Sequence, residues 1–237
     1  MDLHSPVIDF HSHILAGVDH GCECTDESIR QLELMRSHGT DIVVATPHFY
    51  PHINTVDSFS GKIHRAISRL SEVGVSSAPR LCVGAEVLLC DNLCSMSGLD
   101  SLCIRGTKIL LIELPIQHLK ESHFDTVEEL ISKGYTVMLA HIDRYAHHYG
   151  NDIKSLLELG AIAQINADCM GHPSIKRFIL DLLKNTDSIY AVGSDLHGVD
   201  EKLYKKFATI DKHLHEHFKK IMSRSAKLLE TAEFIQL

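Results

Sequence analysis

The stretch Val7-Ile8-Asp9-Phe10-His11-Ser12-His13 places a short, largely apolar run directly before two histidines. We predict a β-strand at Val7–Phe10, because short runs of β-branched and apolar residues are typical of strands buried on both faces. His11 and His13 then follow the C-terminal end of that strand. A buried strand followed by a residue that can bind a metal ion recurs along the chain, and this recurrence predicts the fold.

Short apolar strands alternate with amphipathic helices along the sequence. The predicted strands are Val7–Phe10, Ile42–Ala45, Leu81–Gly84, Ile109–Ile112, Thr136–Ala140, Ala161–Ile165 and Ile189–Val192. The predicted helices are Thr25–His38, Ser58–Val73, Ser122–Lys133, Asp152–Leu159, Ser174–Lys184 and one or two helices within Glu201–Glu233. Leu88–Thr107 has no clear pattern and is expected to be irregular.

This alternation predicts an α/β fold with a parallel sheet and right-handed crossovers. Seven repeats favour a distorted (β/α)7-type TIM-like barrel, and an open doubly wound sheet is the competing architecture. We expect residues 1–237 to form one domain, because barrels of this kind commonly reach this length and no linker divides the chain.

The composition indicates which classes of partner and which cellular compartment are expected. The net charge of -8 argues against binding to nucleic acid, which favours a basic surface. No apolar stretch is long enough for membrane insertion, and no signal-peptide pattern is present. Seven cysteines without a regular spacing do not suggest a disulfide framework. A cytoplasmic location is therefore expected.

Residues of the metal-binding types follow six of the seven predicted strands. They are His11, His13, His48, Glu86, Glu113, His141, Asp195 and His197. Only the sixth strand, which ends near Asn166, lacks an obvious ligand. In a parallel barrel all strand C-termini lie on one face, so we expect these side chains to converge there. Imidazole and carboxylate donors suit Zn, Mn or Fe, and eight of them suit two or three ions.

Any one histidine in a chain with 18 of them is more often a surface or core residue than a ligand. The pattern as a whole favours metal binding, because chance would also place such residues on helices and at strand starts. Cys24 and Arg30 have the spacing of a cysteine-nucleophile phosphatase. The residues between them include Asp26 and Glu27, which would repel phosphate, so we interpret that spacing as accidental.

Six motifs together resemble the PHP (polymerase and histidinol phosphatase) superfamily over essentially the whole chain. They are His11-Ser12-His13, Thr46-Pro47-His48, Gly84-Ala85-Glu86, Ile112-Glu113, Ala140-His141-Ile142-Asp143-Arg144-Tyr145 and Ser194-Asp195-Leu196-His197. They are most similar to its bacterial protein-tyrosine phosphatases from capsule and exopolysaccharide loci. That resemblance implies a distorted barrel with up to three ions, commonly manganese. It also implies hydrolysis of phosphotyrosine on a bacterial tyrosine autokinase.

The resemblance assigns the eight strand-end residues as metal ligands and Arg144 as the catalytic, phosphate-binding residue. Two positions depart from the pattern. Asp19-His20-Gly21 stands where relatives usually have Asp-Asp-Gly, so His20 is expected as a ligand of altered character. Lys202 is the nearest match to a second phosphate-binding arginine, and it supplies charge without a bidentate fork.

The expected chemistry follows from the substrate. Paired metal ions can lower the pKa of a water between them, and the hydroxide would attack phosphorus while Arg144 binds a phosphoryl oxygen. Alternatively, Arg144 forms a salt bridge with Asp143 at the rim. A tyrosine leaving group has a pKa of about 10 and needs little help from a general acid. Phe49 and Tyr50 either flank the entrance and stack on its ring or pack within a loop.

Two other functions remain open from the sequence. A PHP-type phosphatase for a small metabolite such as histidinol phosphate would use the same fold and ions. A catalytically weak metal-binding module that regulates a partner is the second, and the departures at His20 and Lys202 motivate it.

Overall fold

The computed structural model describes residues 5–75, 78–116 and 118–237. The strands are Ile8–His13 (β1), Ile42–Ala45 (β2), His48–Phe49 (β3), Arg80–Val83 (β4), Glu86–Leu88 (β5), Ile109–Glu113 (β6), Thr136–Leu139 (β7), Ile162–Asn166 (β8), Ile189–Gly193 (β9) and Leu196–His197 (β10). The α-helices are Thr25–Ser37 (α1), Val56–Val73 (α2), Glu121–Ser132 (α3), Gly150–Glu158 (α4), Pro173–Asn185 (α5), Glu201–Ala208 (α6), Asp211–Leu214 (α7) and Glu216–Leu228 (α8).

The named strands form two parallel sheets. One has the order β10-β1-β2-β4 and the other the order β3-β5-β6-β7-β8-β9. The predicted α/β fold with parallel strands is therefore confirmed. Every residue of β2 and β7 except Thr136 is buried, as expected for strands covered on both faces.

Three strands change sheets through two-residue breaks. Thr46-Pro47 separates β2 from β3, Gly84-Ala85 separates β4 from β5, and Ser194-Asp195 separates β9 from β10. Pro47 lacks the amide proton that a strand ladder requires. A Cβ on Gly84 would lie 3.0 Å from Ile104 Cγ1, so the chain at this break passes close to its neighbour.

The helices pack apolar faces against the sheets. In α2, Phe59, Ile63, Ala66 and Leu70 are buried at spacings of three and four residues, and Thr55 caps the helix by accepting from Ser58 N. Among the described residues, no helix has the length and apolar character to cross a bilayer. All seven cysteines lie in the described ranges, and each is a free thiol.

Several boundaries differ from the prediction. His11 and His13 lie within β1 instead of after it, and Glu86 begins β5. Three helices, α6 to α8, replace the predicted one or two. Leu88–Thr107 is largely irregular, as expected, with 3-10 turns at Leu93–Ser95 and Leu99–Leu102.

Candidate metal centre

The eight predicted ligands converge at the C-terminal ends of the strands. His11 and His13 come from β1, His48 begins β3, Glu86 begins β5 and Glu113 ends β6. His141 follows β7, Asp195 lies between β9 and β10, and His197 ends β10. Their donor atoms form four groups of three, each with the atoms within 4.8 Å of one another. The groups are His13-His48-His197, His11-His13-Asp195, His11-Glu86-His141 and His48-Glu86-Glu113. Because these groups share members, the donors form one continuous cluster.

Glu86 lies at the centre of this cluster and is fully buried. Its Oε2 lies 2.8 Å from His48 Nδ1, 3.3 Å from His11 Nε2 and 3.4 Å from His13 Nε2. Its Oε1 lies 2.6 Å from His141 Nε2. One carboxylate thus faces four imidazoles, so any ions held by these histidines would also lie within reach of Glu86.

Outer contacts orient three of the histidines. His13 Nδ1 lies 2.7 Å from Asp19 Oδ2, and His11 Nδ1 lies 3.2 Å from Gln164 Oε1. Both oxygens are acceptors, so each Nδ1 is the donor in these contacts and carries the proton. In the neutral tautomers the two Nε2 atoms, 3.1 Å apart, then both present lone pairs. His197 is oriented similarly, with Nδ1 3.1 Å from the carbonyl oxygen of Asp195.

Several buried polar atoms of the cluster have no hydrogen-bond partner among the described residues. They are His48 Nδ1, Glu86 Oε2, Glu113 Oε2, His141 Nδ1 and His197 Nε2. The 2.8 Å separation of His48 Nδ1 and Glu86 Oε2 therefore lacks the geometry of a hydrogen bond. Unpartnered buried polar atoms are costly, and atoms that point at one another without a proton between them suit a cation. The donors present thus fit divalent metal ions.

Burial and neighbouring charges shift the pKa values of several residues in the cluster. Burial opposes protonation of His13, but hydrogen bonds to Asp19, Asp195 and Glu86 raise its pKa well above the ordinary value. Burial also opposes ionisation of Glu86, but His11, His13 and His141 hold its pKa well below the usual range. The pKa of His197 is lowered to about 4, first by burial and then by His13. His197 is therefore a neutral donor at neutral pH.

Two candidate ligands have unusual backbone conformations. His141 has φ 31° and Asp195 has φ 54°, in the left-handed region that non-glycine residues seldom adopt. Gln164 Oε1 accepts from His141 N at 2.6 Å, and His11 O accepts from Asp195 N at 2.8 Å. Such conformations are costly and cluster at functional sites, where surrounding contacts hold them in place.

Arg144 lies beside the cluster on the 3-10 turn Ile142–Tyr145, with half of its side chain exposed. Its Nη2 donates to Asp195 Oδ2. In the described part of the chain its ion pair is with Asp195, so the alternative salt bridge to Asp143 is wrong. The buried Asp143 instead accepts from Asn166 N at 2.7 Å. Arg144 thus contacts the cluster through Asp195, while half of its side chain is exposed to solvent.

His20 and Lys202, the two positions that depart from the family pattern, differ in their relation to the cluster. The ring of His20 stacks on those of His48 and His197, with centroids 4.7 and 4.6 Å apart, but its nitrogens belong to none of the four donor groups. Lys202 is an exposed residue of α6. Among the described residues no hydrogen bond or ion pair joins Lys202 to the cluster.

Sequence reasoning missed three residues that support the cluster. Asp19 orients His13 and also accepts from His48 N at 2.8 Å. Gln164 contacts both His11 and His141, and Asn166 Nδ2 donates to Asp195 Oδ2 at 2.9 Å. A buried Gln in the apolar strand Ile162–Asn166 is the signal that could have identified Gln164.

Phe49 and Tyr50, the aromatic residues that follow His48, have different environments. Phe49 is fully buried and packs edge-on against Phe59, so of the two alternatives left open for it, packing is the one observed and flanking the entrance is wrong. Tyr50 stacks on His48, with centroids 5.1 Å apart, and lines a surface cavity beside Glu113. Cys24 is the exposed N-cap of α1, and Asp26 and Glu27 occupy the first turn, as expected for helix-start residues.

Comparison with known proteins agrees with this geometry. Residues 7–230 match the family described as "Capsular polysaccharide synthesis, CpsB/CapC". The chain belongs to the CpsB/CapC family. Among its relatives, CapC of Staphylococcus aureus is 27% identical over 97% of this chain and 93% of its own length. The tyrosine-protein phosphatase YwqE of Bacillus subtilis is 26% identical over 94% of this chain and 91% of its own length.

A solved structure of family members shares the fold. It is described as that of the metal-dependent tyrosine phosphatases YwqE from Bacillus subtilis and CpsB from Streptococcus pneumoniae. The TM-score is 0.79 with 22% identity, over 98% of this chain and 97% of the other. The predicted resemblance to the bacterial tyrosine phosphatases of capsule loci is confirmed by the family match and the named relatives, and the solved structure confirms the shared fold.

Proposed function

We propose that this chain is a metal-dependent phosphomonoester hydrolase whose substrate is phosphotyrosine in a protein. The observation that carries the proposal is the buried donor cluster centred on Glu86, with Arg144 at its solvent-facing side. The family match adds support, because relatives that cover nearly the whole chain are named tyrosine-protein phosphatases.

We propose that two or three divalent ions bind at this cluster, with Mn favoured and Fe or Zn as substitutes. Their ligands would be His11, His13, His48, Glu86, Glu113, His141, Asp195 and His197, with His20 completing the third site. Mixed imidazole and carboxylate donors support this assignment. His20 supports it less directly, through its stacking on His48 and His197. Bound ions would neutralise phosphate charge and activate water.

The residues of the chain divide the remaining work. Arg144 would donate to a non-bridging phosphate oxygen, in place of part of its contact with Asp195. Lys202 would add positive charge at a longer range. A tyrosinate leaving group has a conjugate-acid pKa of about 10, so departure without a dedicated acid is feasible. Gln164 and Asp19 would hold His11 and His13 in their donor orientations.

We also propose that the two sheets together form a distorted seven-membered barrel within a single domain. The breaks between β2 and β3, β4 and β5, and β9 and β10 would then be kinks within three continuous barrel strands. Support comes from Asp195 N, which donates to His11 O at 2.8 Å where β9 passes into β10 beside β1. A barrel would account for the convergence of the ligands at one mouth.

The physiological substrate we propose is a bacterial tyrosine autokinase that regulates capsule or exopolysaccharide synthesis. The family description supports the pathway. Support for a peptide substrate is structural, since Arg144 and Tyr50 lie at the surface and not in a closed chamber.

The proposal is tested by hydrolysis of a phosphotyrosine peptide with manganese, with a chelator and after thiol alkylation. We expect chelation to abolish activity and manganese to restore it, while alkylation has no effect. Burial raises the pKa of Cys22, Cys82 and Cys103 to about 12, so these thiols are poor nucleophiles. Activity that survives chelation but is lost on alkylation would refute the metal mechanism and implicate Cys24. Preference for a small alkyl phosphate would refute the substrate.

A further inference from the structure

A surface cavity of about 430 Å³ adjoins the metal cluster. It lies within the range typical of ligand pockets, about 300–1,000 Å³. The residues that line it include Tyr50, Ile53, Leu88, Leu114 and Ile116, together with Glu113. We refer to it as the apolar cleft. No lysine or arginine is present among the described residues that line it, so a second anionic group has no partner there.

The cleft exposes apolar side chains to solvent. Ile116 is 90% exposed and Ile53 is 69% exposed, and both are among the large hydrophobic residues that the fold leaves uncovered. A single exposed isoleucine needs no explanation. Two that line the same concave surface beside a candidate active site indicate a surface that binds an apolar group.

The apolar cleft and the metal cluster share a boundary. Glu113 lines the cleft and also belongs to the donor group of His48, Glu86 and Glu113. Tyr50, which also lines the cleft, stacks on His48 with an interplanar angle of 19°. A ligand whose phosphate binds at this donor group can therefore extend its remainder along Tyr50 and the isoleucines.

The wall of the cleft is tied to the segment that carries Arg144. The Tyr145 hydroxyl donates to Leu114 O at 2.9 Å, and the Tyr149 hydroxyl donates to Ile116 O at 2.9 Å. Tyr145 directly follows Arg144. These two hydrogen bonds hold the segment that carries Arg144 against the segment that lines the cleft. Arg144 and the apolar side chains are therefore positioned together to meet the two ends of one substrate.

We propose that the apolar cleft binds the aromatic ring of the substrate ester, and that Ile53 and Ile116 make the enzyme prefer aryl over alkyl phosphomonoesters. This inference rests on the proposed function, because it assumes that the phosphate lies at the metal cluster. The ring would lie against Tyr50 and the other apolar side chains that line the cleft.

The test compares the wild-type protein with a double variant, Ile53→Ser with Ile116→Ser, on phenyl phosphate and propyl phosphate in manganese. Both side chains are largely exposed, so the variant should fold. We expect kcat/KM for phenyl phosphate to fall about tenfold, mainly through KM, because an apolar pocket contact discriminates by this order. Activity on propyl phosphate should not change. Val73→Ser alters an exposed apolar residue outside the cleft and serves as the matched control.

Binding measurements separate this inference from the proposed function. Calorimetry of the manganese-loaded protein should show tighter binding of phenylphosphonate than of methylphosphonate, and the double variant should lose that preference. Equal losses on both esters, or an unchanged preference for the phenyl ligand, would overturn the role of the cleft. Wild-type protein without metal-dependent hydrolysis of either ester would refute the proposed function, and the phosphonate preference would still decide whether the cleft binds the ring.

Discussion

His13 Nδ1 lies 2.7 Å from Asp19 Oδ2, and this contact directs His13 Nε2 into the donor cluster. Asp19 also accepts from Gly21 N at 2.9 Å and from His48 N at 2.8 Å. One carboxylate therefore positions two candidate ligands from different strands, although it lies outside the four donor groups.

Replacing Asp19 should weaken metal binding without unfolding the protein. We expect Asp19→Asn to lower manganese affinity about 10–100-fold, since partners of ligating histidines contribute effects of this size. The measurement is a manganese titration by calorimetry. Asp91→Asn is the matched control, because Asp91 Oδ1 lies 3.4 Å from His123 Nε2 outside the cluster. Equal affinities for the Asp19 variant and the wild type would contradict the orienting role.

Arg144 should act on the phosphate and not on the metal ions. We expect Arg144→Ala to lower kcat/KM for a phosphotyrosine peptide by about 100-fold, the usual order for loss of one donor to transition-state charge. Metal content, measured by elemental analysis, should stay at the wild-type value. Arg30→Ala tests the cysteine-type spacing in parallel and should leave activity intact. Loss of metal from the Arg144 variant would instead assign this residue a structural role at Asp195.

The stability gained from metal should grow as the pH rises above about 6.5, through the raised pKa values of His11 and His13. In the chelated protein, burial disfavours the charged forms of His11 and His13, but their carboxylate neighbours raise the pKa of both above the value of about 6.5 for free histidine. A pKa raised by folding stabilises the protein below the unfolded value, and that contribution is lost as the pH rises through the folded value. Bound metal displaces these protons, so its advantage grows by about 1.4 kcal/mol per pH unit for each proton displaced.

Chemical denaturation at several pH values, with manganese or with chelator, checks this expectation. Burial raises the pKa of Asp9 to about 6, so protonated Asp9 stabilises the protein at low pH and this contribution is lost mainly below about pH 6.5. The loss occurs in both samples. A difference between the two samples that does not grow at any point as the pH rises above about 6.5 would contradict the assignment of His11 and His13 as ligands.

Tyr149 should position the apolar wall through its hydroxyl group. Tyr149→Phe removes the donor to Ile116 O and keeps the ring, so we expect KM for phenyl phosphate to rise about threefold to tenfold, as for the loss of one neutral hydrogen bond. The kcat and the metal content should stay unchanged. Tyr190→Phe alters a tyrosine outside the cleft and is the control. A fall in kcat with unchanged KM would place Tyr149 in the chemical step.

Gly193 should be essential where β9 passes β1. A Cβ there would lie 2.5 Å from His11 Cβ and 2.7 Å from Gln164 Nε2. Gly193→Ala should cost about 1–3 kcal/mol of unfolding free energy, as overpacking does, and it should also displace His11. Gly171→Ala is the control, because its Cβ would meet nothing within 4 Å. Denaturant melts that coincide for the two variants would argue against this close approach.

The sequence predicted the long strands well because their burial leaves continuous apolar runs. Ile42–Ala45 has the predicted bounds. The two- and three-residue strands β3, β5 and β10 were missed, since so short a segment has no periodicity and is defined by its pairing partner. Placing Glu86 after a strand was nonetheless enough to bring it to the correct face.

The candidate site could be predicted as far as residue type and strand position allow. His141 and Glu113 were found because polar residues that end apolar strands are conspicuous. Gln164 was not, because its role depends on contacts with His11, 153 positions away, and with His141. Such contacts are set by strand order, and the sequence alone left that order open.

The central claim is that the cluster around Glu86 hydrolyses phosphotyrosine only when metal is bound. The most direct measurement titrates manganese into chelated protein and records bound metal and phosphotyrosine-peptide hydrolysis on the same samples, with Glu86→Gln in parallel. We predict that hydrolysis rises with occupancy and saturates as the sites fill, and that the Glu86 variant gains neither. Full hydrolysis by samples that hold no metal would contradict the account.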